Sequence, residues 1–267
     1  MSPNAYLAFR AKKFYGELMT QSVVVTGGGS GIGRAAALRF AAEGAKVVVA
    51  DLNGDSAKAV VEEITAAGGA AVEVVGDLTD QAVIDQVVAT AVDTFGGLDA
   101  LVNNAGIADS MSAAADVTDA EWHRILAVDL TAPFLLTRAA LPVMLAKGKG
   151  SIVYTISEAG LRGSAAGTAY TTAKHGLVGL TRSVAIMYRD AGIRANAIAP
   201  GGTRTGIVVN ADPEGHGPQV VGRYQQQNVG RIADAEEQAA AIVFLASDAA
   251  SNINGVVLPV DNGWAAV

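Results

Sequence analysis

Ser22-Val23-Val24-Val25-Thr26-Gly27-Gly28-Gly29-Ser30-Gly31-Ile32-Gly33 opens the region of the chain that decides its fold. The β-branched run has no polar alternation, the pattern of a strand buried on both faces. Residues 34–43 follow the glycines as a helix, with Ile32, Ala36 and Phe40 spaced to face a sheet. Gly44 closes that helix, and Lys46-Val47-Val48-Val49-Ala50 is a second buried strand ending at Asp51, twenty residues past Gly31. Strand, glycine loop, helix, strand and acid make a complete nucleotide-binding βαβ unit. The glycines let the backbone approach a pyrophosphate, whose charge meets N–H groups at the helix N-terminus. Asp51 can accept hydrogen bonds from both hydroxyls of an adenosine ribose and repels a 2′-phosphate. Neither Ser30 nor Leu52 offers the Arg or Lys that would receive such a phosphate. NAD is therefore the expected cofactor, ahead of NADP.

The alternation continues to the C-terminus. Helices are expected over 55–67, 80–95, 119–145, 168–190 and 235–247, and strands over 71–75, 98–102, 151–156, 194–199 and 256–260. Seven strands alternating with helices predict a single-domain α/β fold of Rossmann type, a doubly wound, mostly parallel sheet with helices on both faces. Ligands of such sheets bind outside the carboxyl ends of the strands. Thr26, Asp51, Asp77, Asn103, Ser157 and Pro200 all stand at or just past such ends and converge on one edge.

Composition narrows the function. The 267 residues suit one α/β domain, and a 51% hydrophobic share with 5% aromatics fits Val/Ala-rich strands under helices. A net charge of −7 counts against nucleic acid or an anionic membrane as partner. No cysteine is present, and His123, His175 and His216 are scattered, so no metal site is expected. No apolar run is expected to reach membrane-span length and no signal-peptide pattern opens the chain, so a soluble cytoplasmic protein is the expectation.

Tyr170-Thr171-Thr172-Ala173-Lys174 stacks a phenol and a cation on one face of the predicted helix 168–190. A free tyrosine has a pKa of roughly 10, and a nearby ammonium can lower it by about one to three units. Such a phenol can exchange a proton with an alcohol near neutral pH. The same spacing also describes an ordinary half-buried Tyr with a solvated Lys, so its meaning depends on the site beside it.

Thr26-Gly27 with Gly31-Ile32-Gly33 (TGxxxGxG), Asn103-Asn104-Ala105-Gly106, Ser157, Tyr170 with Lys174, and Pro200-Gly201 occur in that order. From Ser22 to the end, including Asp261-Asn262-Gly263, the chain resembles the compact short-chain dehydrogenase/reductase family. The resemblance implies that Tyr170 is the acid/base, that Lys174 lowers its pKa and holds the nicotinamide ribose, and that Ser157 positions the substrate oxygen. It assigns Gly27, Ser30, Gly31, Ile32 and Gly33 to the phosphate turn, Asp51 and Leu52 to the adenosine ribose, and Asp77 and Leu78 to the adenine. Asn104, Ala105 and Gly106 match positions lining the cofactor. Pro200, Gly201, Thr203 and Thr205 match the segment holding the carboxamide end of the nicotinamide. Asn103 is read as structural, tying neighbouring strands together.

One position departs from the family. Val128-Asp129-Leu130 stands where asparagine usually helps to hold a water relay to the lysine. An ionised Asp129 would offset the Lys174 cation; alternatively, Asp129 only preserves the main-chain geometry, which is the favoured expectation.

The implied activity is reversible oxidation of a secondary alcohol to a ketone with NAD. A 3-oxoacyl-[acyl-carrier-protein] reductase using NADPH is the alternative, with Arg138, Lys147 and Lys149 as its basic patch. A non-catalytic dinucleotide-binding sensor is the third. Residues 206–230 are expected to be a mobile lid over the substrate, with His216 a solvated loop residue and Glu158 an exposed carboxylate. The family commonly forms homotetramers through the helices carrying Asp129 and Tyr170. Residues 1–18 stand apart from the domain at 19–267. Their basic, mildly amphipathic run from Ala5 to Phe14 fits a membrane-surface segment, a packed helix, or an extension upstream of Met19.

Overall fold

The structure, a computed structural model, describes residues 21–267. The expectations for residues 1–18 fall outside the described residues. Strands and helices alternate as β1 (Ser22–Thr26), α1 (Gly31–Ala42), β2 (Lys46–Asp51), α2 (Gly54–Ala66), β3 (Ala70–Val75), α3 (Gln81–Phe95), β4 (Ala100–Asn103), α4 (Asp119–Leu126), α5 (Ala132–Lys147), β5 (Gly150–Thr155), α6 (Thr168–Tyr188), β6 (Ile193–Pro200), α7 (His216–Asn228), α8 (Ala235–Ala246) and β7 (Val257–Val260). The strands form one parallel sheet in the order β3-β2-β1-β4-β5-β6-β7. This is a single-domain Rossmann-type α/β fold. The strand order reverses between β1 and β4, which makes a crevice at their carboxyl ends.

Burial explains why the strands lack polar alternation. Val23, Val25, Val47 and Val49 point to one face and pack with Phe40, Ile64 and Ile242 from α1, α2 and α8. Val24, Val48, Leu101 and Tyr154 point to the other and pack with Ile84, Leu136 and Leu177 from α3, α5 and α6. Each fully buried large aliphatic side chain contributes about 1.5–3 kcal/mol. Short polar side chains start the helices: Asn53 accepts from Ser56 N, Asp80 from Ala82 N and Thr118 from Glu121 N.

The expected single helix over 119–145 is broken in register. Pro133 has no N–H to give the carbonyl of Asp129, four residues back. The ladder widens into a π turn at Ala127–Thr131, where Ala132 N donates to Ala127 O. Asp129 lies inside that turn and is fully buried. The helical run Asp119–Lys147, 29 residues in all, is long and apolar enough by length and composition to cross a membrane. That corrects the expectation that no apolar stretch reaches this length. Its Leu136, Ala140 and Met144 are buried beneath the sheet, as in a core helix.

Thr26, Asp51, Asn103, Thr155 and Pro200 are the last residues of β1, β2, β4, β5 and β6, and so share one edge. Buried Thr26 fastens the central strands there: its hydroxyl donates to Val102 O (3.2 Å) and accepts from Asn104 N (2.9 Å) and Ala105 N (3.0 Å). Thr26→Val keeps the volume and removes the acceptor for two N–H groups. It should cost about 1–3 kcal/mol of stability in urea unfolding; an unchanged midpoint would contradict this role for the hydroxyl.

Candidate active site

The turn from β1 to α1 admits no side chains at its tightest points. Gly27 has φ 61, and a Cβ on Gly33 would lie 2.1 Å from Gly27 O. Ser30 caps α1 in an extended conformation without a side-chain capping bond. The N–H groups of Gly31, Ile32 and Gly33 open the helix and have no partner within it, which suits an anion. Asp51 is locked against this turn, with Oδ2 accepting from Gly29 N (2.8 Å) and Oδ1 from Asn53 N (2.9 Å). Each oxygen keeps acceptor capacity for a ribose diol. Leu52 is exposed beside it, and Arg34 is paired with Glu63. Asp77 Oδ1 is taken by Thr79 N and Oγ1, and half-buried Leu78 packs on the core. The loop after β6 arches back over the turn, so that Thr205 Cβ lies 3.2 Å from where a Cβ of Gly31 would be. Pro200 ends β6, Gly201 N donates to Val260 O (3.2 Å), and Thr203 Oγ1 donates to Gly201 O (3.1 Å). A cradle of glycine backbone with one carboxylate at its far end fits a dinucleotide.

The two asparagines divide the structural work differently from the expectation. Asn104 ties strands together: its amide donates to Thr26 O (3.0 Å) and its oxygen accepts from Thr155 Oγ1 (3.2 Å). Asn103 instead reaches Thr137 Oγ1 on α5 (3.4 Å). Asn104, Ala105 and Gly106 therefore have chiefly their backbone left to line a cofactor.

Ser157 follows β5 by two residues. Its Oγ accepts from Ala159 N (3.1 Å), and its hydroxyl helps to lower the Tyr170 phenol's pKa. Tyr170 and Lys174 lie one turn apart on α6, with Nζ 5.1 Å from the ring centroid. Asp109 pins the start of this helix by accepting from Gly167 N (3.2 Å) and Tyr170 N (3.0 Å). Lys174 is buried; Nζ donates to Thr155 O (3.3 Å) and sits 3.0 Å from Asp129 Oδ1.

That last contact corrects the expectation that Asp129 only preserves main-chain geometry. Its side chain is fully buried, ion-paired with Lys174, and its Oδ2 accepts from Ile107 N (3.3 Å). It also changes the phenol. Burial pushes the Tyr170 pKa up from 10; Lys174 pulls it down, Asp129 pushes it up, Ser157 pulls it down and Asp109 adds a push up. The net direction is upward, so the expectation of a lowered Tyr170 pKa is not met. Burial lowers the pKa of Lys174, but Tyr170 and Asp129 outweigh it and hold the group above 10.5. Burial raises the Asp129 carboxyl above 3.8, against Lys174 and the Ile107 N–H.

A family model described as Enoyl-(Acyl carrier protein) reductase matches residues 27–265. The 3beta-hydroxysteroid dehydrogenase 2 of Eggerthella lenta is 39% identical over 250 residues, covering 93% of this chain and 96% of that protein. The 2,5-dichloro-2,5-cyclohexadiene-1,4-diol dehydrogenase LinX of Sphingobium indicum is 41% identical over 241 residues, 90% of this chain and 94% of that protein. A crystal structure from Beutenbergia cavernae, assigned as an NAD(P)-dependent gluconate 5-dehydrogenase and holding NADP at low occupancy, has a TM-score of 0.81 at 38% identity. It covers 92% of this chain and 97% of its own. The chain belongs to the short-chain dehydrogenase/reductase family. It is thereby an oxidoreductase-family protein.

Other parts of this dehydrogenase/reductase site were not legible in advance. Glu158, read as exposed, is buried beside Ser157, with Oε2 2.9 Å from Arg162 Nε. Arg162 Nη1 donates to Val267 O (2.7 Å), tying the C-terminal segment down. On that segment Trp264 is buried in a small cluster with Ala159 and Ala165, against which Tyr170 and Val229 pack. Neither contact has a sequence signal, because they join a strand end to the chain terminus. Asp109 and Thr155 were likewise missed, since their roles run through backbone partners. Residues 206–230 are not one loop but contain α7, and His216 begins it. Gly217 there is so close to the preceding loop that a Cβ would lie 2.1 Å from Met111 O. Lys147 and Lys149 flank the start of β5, at the edge opposite the site, paired with Asp99 and Asp248.

Burial, then the Asp261 charge, pushes the Glu158 pKa up from 4.5 to about 7, against the pull of Arg162. The folded chain thus keeps a proton that the unfolded chain has released, so this group's contribution falls as pH rises from about 4.5 to 7. Glu158→Gln should flatten that fall, read as urea midpoints at about pH 5 and about pH 8. An identical pH slope in the variant would contradict it.

Proposed function

We propose that this protein interconverts a secondary alcohol and a ketone with NAD. The observation carrying the proposal is a single meeting at one sheet edge: Ser157 just past the end of β5 and the Tyr170 phenol, one turn from the Lys174 ammonium, beside a glycine turn and Asp51 that fit a dinucleotide. When bound, the nicotinamide accepts or supplies the hydride. Ser157 orients the substrate oxygen, and Tyr170 takes its proton in oxidation or returns it in reduction. Lys174 has three donors; one goes to Thr155 O, and the ammonium, ion-paired with Asp129, keeps donor capacity for the nicotinamide ribose.

NAD is favoured because the Asp51 carboxylate, held against the glycine turn, would repel a 2′-phosphate, and Arg34 is engaged by Glu63. The NADP held by the Beutenbergia relative weighs the other way. Relatives whose names specify a hydroxysteroid and a cyclohexadiene-diol favour an alicyclic secondary alcohol as substrate. The carrier-protein reductase is disfavoured by the placement of Lys147 and Lys149 away from the site. Residues 206–230, with α7 seated on Met111, are proposed as the cover over the substrate. Exposed Phe134, Ile186 and Met187 on α5 and α6 support self-association through these helices, with a tetramer as the proposed form.

Tyr170→Phe should lower turnover of alicyclic secondary alcohols by about 10²–10⁴-fold and leave NADH binding, followed by fluorescence, within about twofold of the parent. Retained turnover would sink the mechanism. In parallel, kcat/KM with NADH should exceed that with NADPH, and Asp51→Ala should narrow the ratio. A parent preferring NADPH would refute the cofactor assignment.

A further inference from the structure

The buried carboxylate of Asp129 has no role in an asparagine-based relay. Its Oδ1 lies at ion-pair distance from the Lys174 ammonium, 3.0 Å, and its Oδ2 accepts from Ile107 N at 3.3 Å. The cofactor-side loop closes directly over this pair: a Cβ on Gly106 would lie 2.6 Å from Oδ1 and 3.3 Å from Lys174 Nζ. The pair is therefore enclosed, and Asp129 is aimed by the π turn that Pro133 imposes. An asparagine of the same shape would leave the ammonium as an uncompensated cation 5.1 Å from the Tyr170 ring. A carboxylate at ion-pair distance cancels much of that cation's field at the phenol.

We propose that Asp129 is a positioning residue that sets the proton affinity of Tyr170 by neutralising Lys174, and so places alcohol oxidation at alkaline pH. The proposal rests on Tyr170 exchanging the substrate proton. Oxidation needs the phenolate, so an affinity raised by Asp129 moves its rising limb to higher pH, while the phenol needed for reduction persists further into alkali. The charged and titratable groups facing the carboxylate are Lys174 and Tyr170 from α6 and Asp109 from the loop after β4. Asp109 accepts from Met111 N, Gly167 N and Tyr170 N, and adds to the same upward push on the phenol.

The test reads Tyr170 directly, without substrate or cofactor. Ultraviolet tyrosinate absorbance is titrated for the parent and Asp129→Asn, each minus its Tyr170→Phe counterpart, with circular dichroism confirming the fold. Asp129→Asn should move the Tyr170 transition about one pH unit or more to lower pH. The rising limb of oxidation should move by the same amount. Asp129→Ala serves if the asparagine variant does not fold, and should shift the transition in the same direction. Coincident curves, an upward shift, or no Tyr170 transition in either protein would overturn the proposal. Because the titration needs no turnover, it can stand when the proposed reaction fails, and the reaction can stand when it fails.

Discussion

A parallel sheet covered on both faces leaves its strand ends as the places where polar groups can gather. Here that constraint collects the site. Thr26, Asn104 and Thr155 are hydrogen-bonded across the ends of β1, β4 and β5, and this lattice sets the edge on which everything else stands. The carbonyl of Thr155 then holds Lys174, the backbone after Thr26 forms the glycine turn, and Asp51 reaches back to that turn from β2. A short set of strand-end hydrogen bonds thus connects the dinucleotide cradle to the acid/base pair.

Within that frame the charge balance differs from what helix spacing implies. Tyr170 and Lys174 at four-residue spacing describe a phenol eased toward ionisation by a cation. The structure adds Asp129, whose carboxylate lies nearer to the ammonium than the phenol ring does. Burial of the Asp129–Lys174 pair beside a half-buried phenol strengthens each interaction, and the sum leaves the phenol more reluctant to ionise than a free one. The decisive addition is therefore a charge, placed by the shape of a helix.

The fold was legible because its signals are local. Buried β-branched runs, glycines at helix ends and period-3.6 helices specify each element, and alternation specifies a parallel sheet. The glycine turn and Asp51 were legible for the same reason. Three features were not. The π turn comes from one missing N–H at Pro133, within a segment whose apolar pattern otherwise reads as one helix. The burial of the Glu158–Arg162 pair and the placing of Trp264 depend on the chain terminus folding back, through Arg162 to Val267 O and Trp264 against Ala159 and Ala165. The helix α7 was masked by Pro213, Gly215 and Pro218, which read as loop; its apolar anchor is little more than buried Val221.

The central claim is that Tyr170 and a dinucleotide at this edge interconvert alcohol and ketone. The most direct measurement is NADH formation with a panel of alicyclic secondary alcohols, with the ketone quantified in the same samples. NADH and ketone should appear in equal amounts for at least one alcohol of the panel. Tight NAD binding with neither product formed across the panel, over neutral to alkaline pH, would contradict the account and leave a dinucleotide-binding protein without this chemistry.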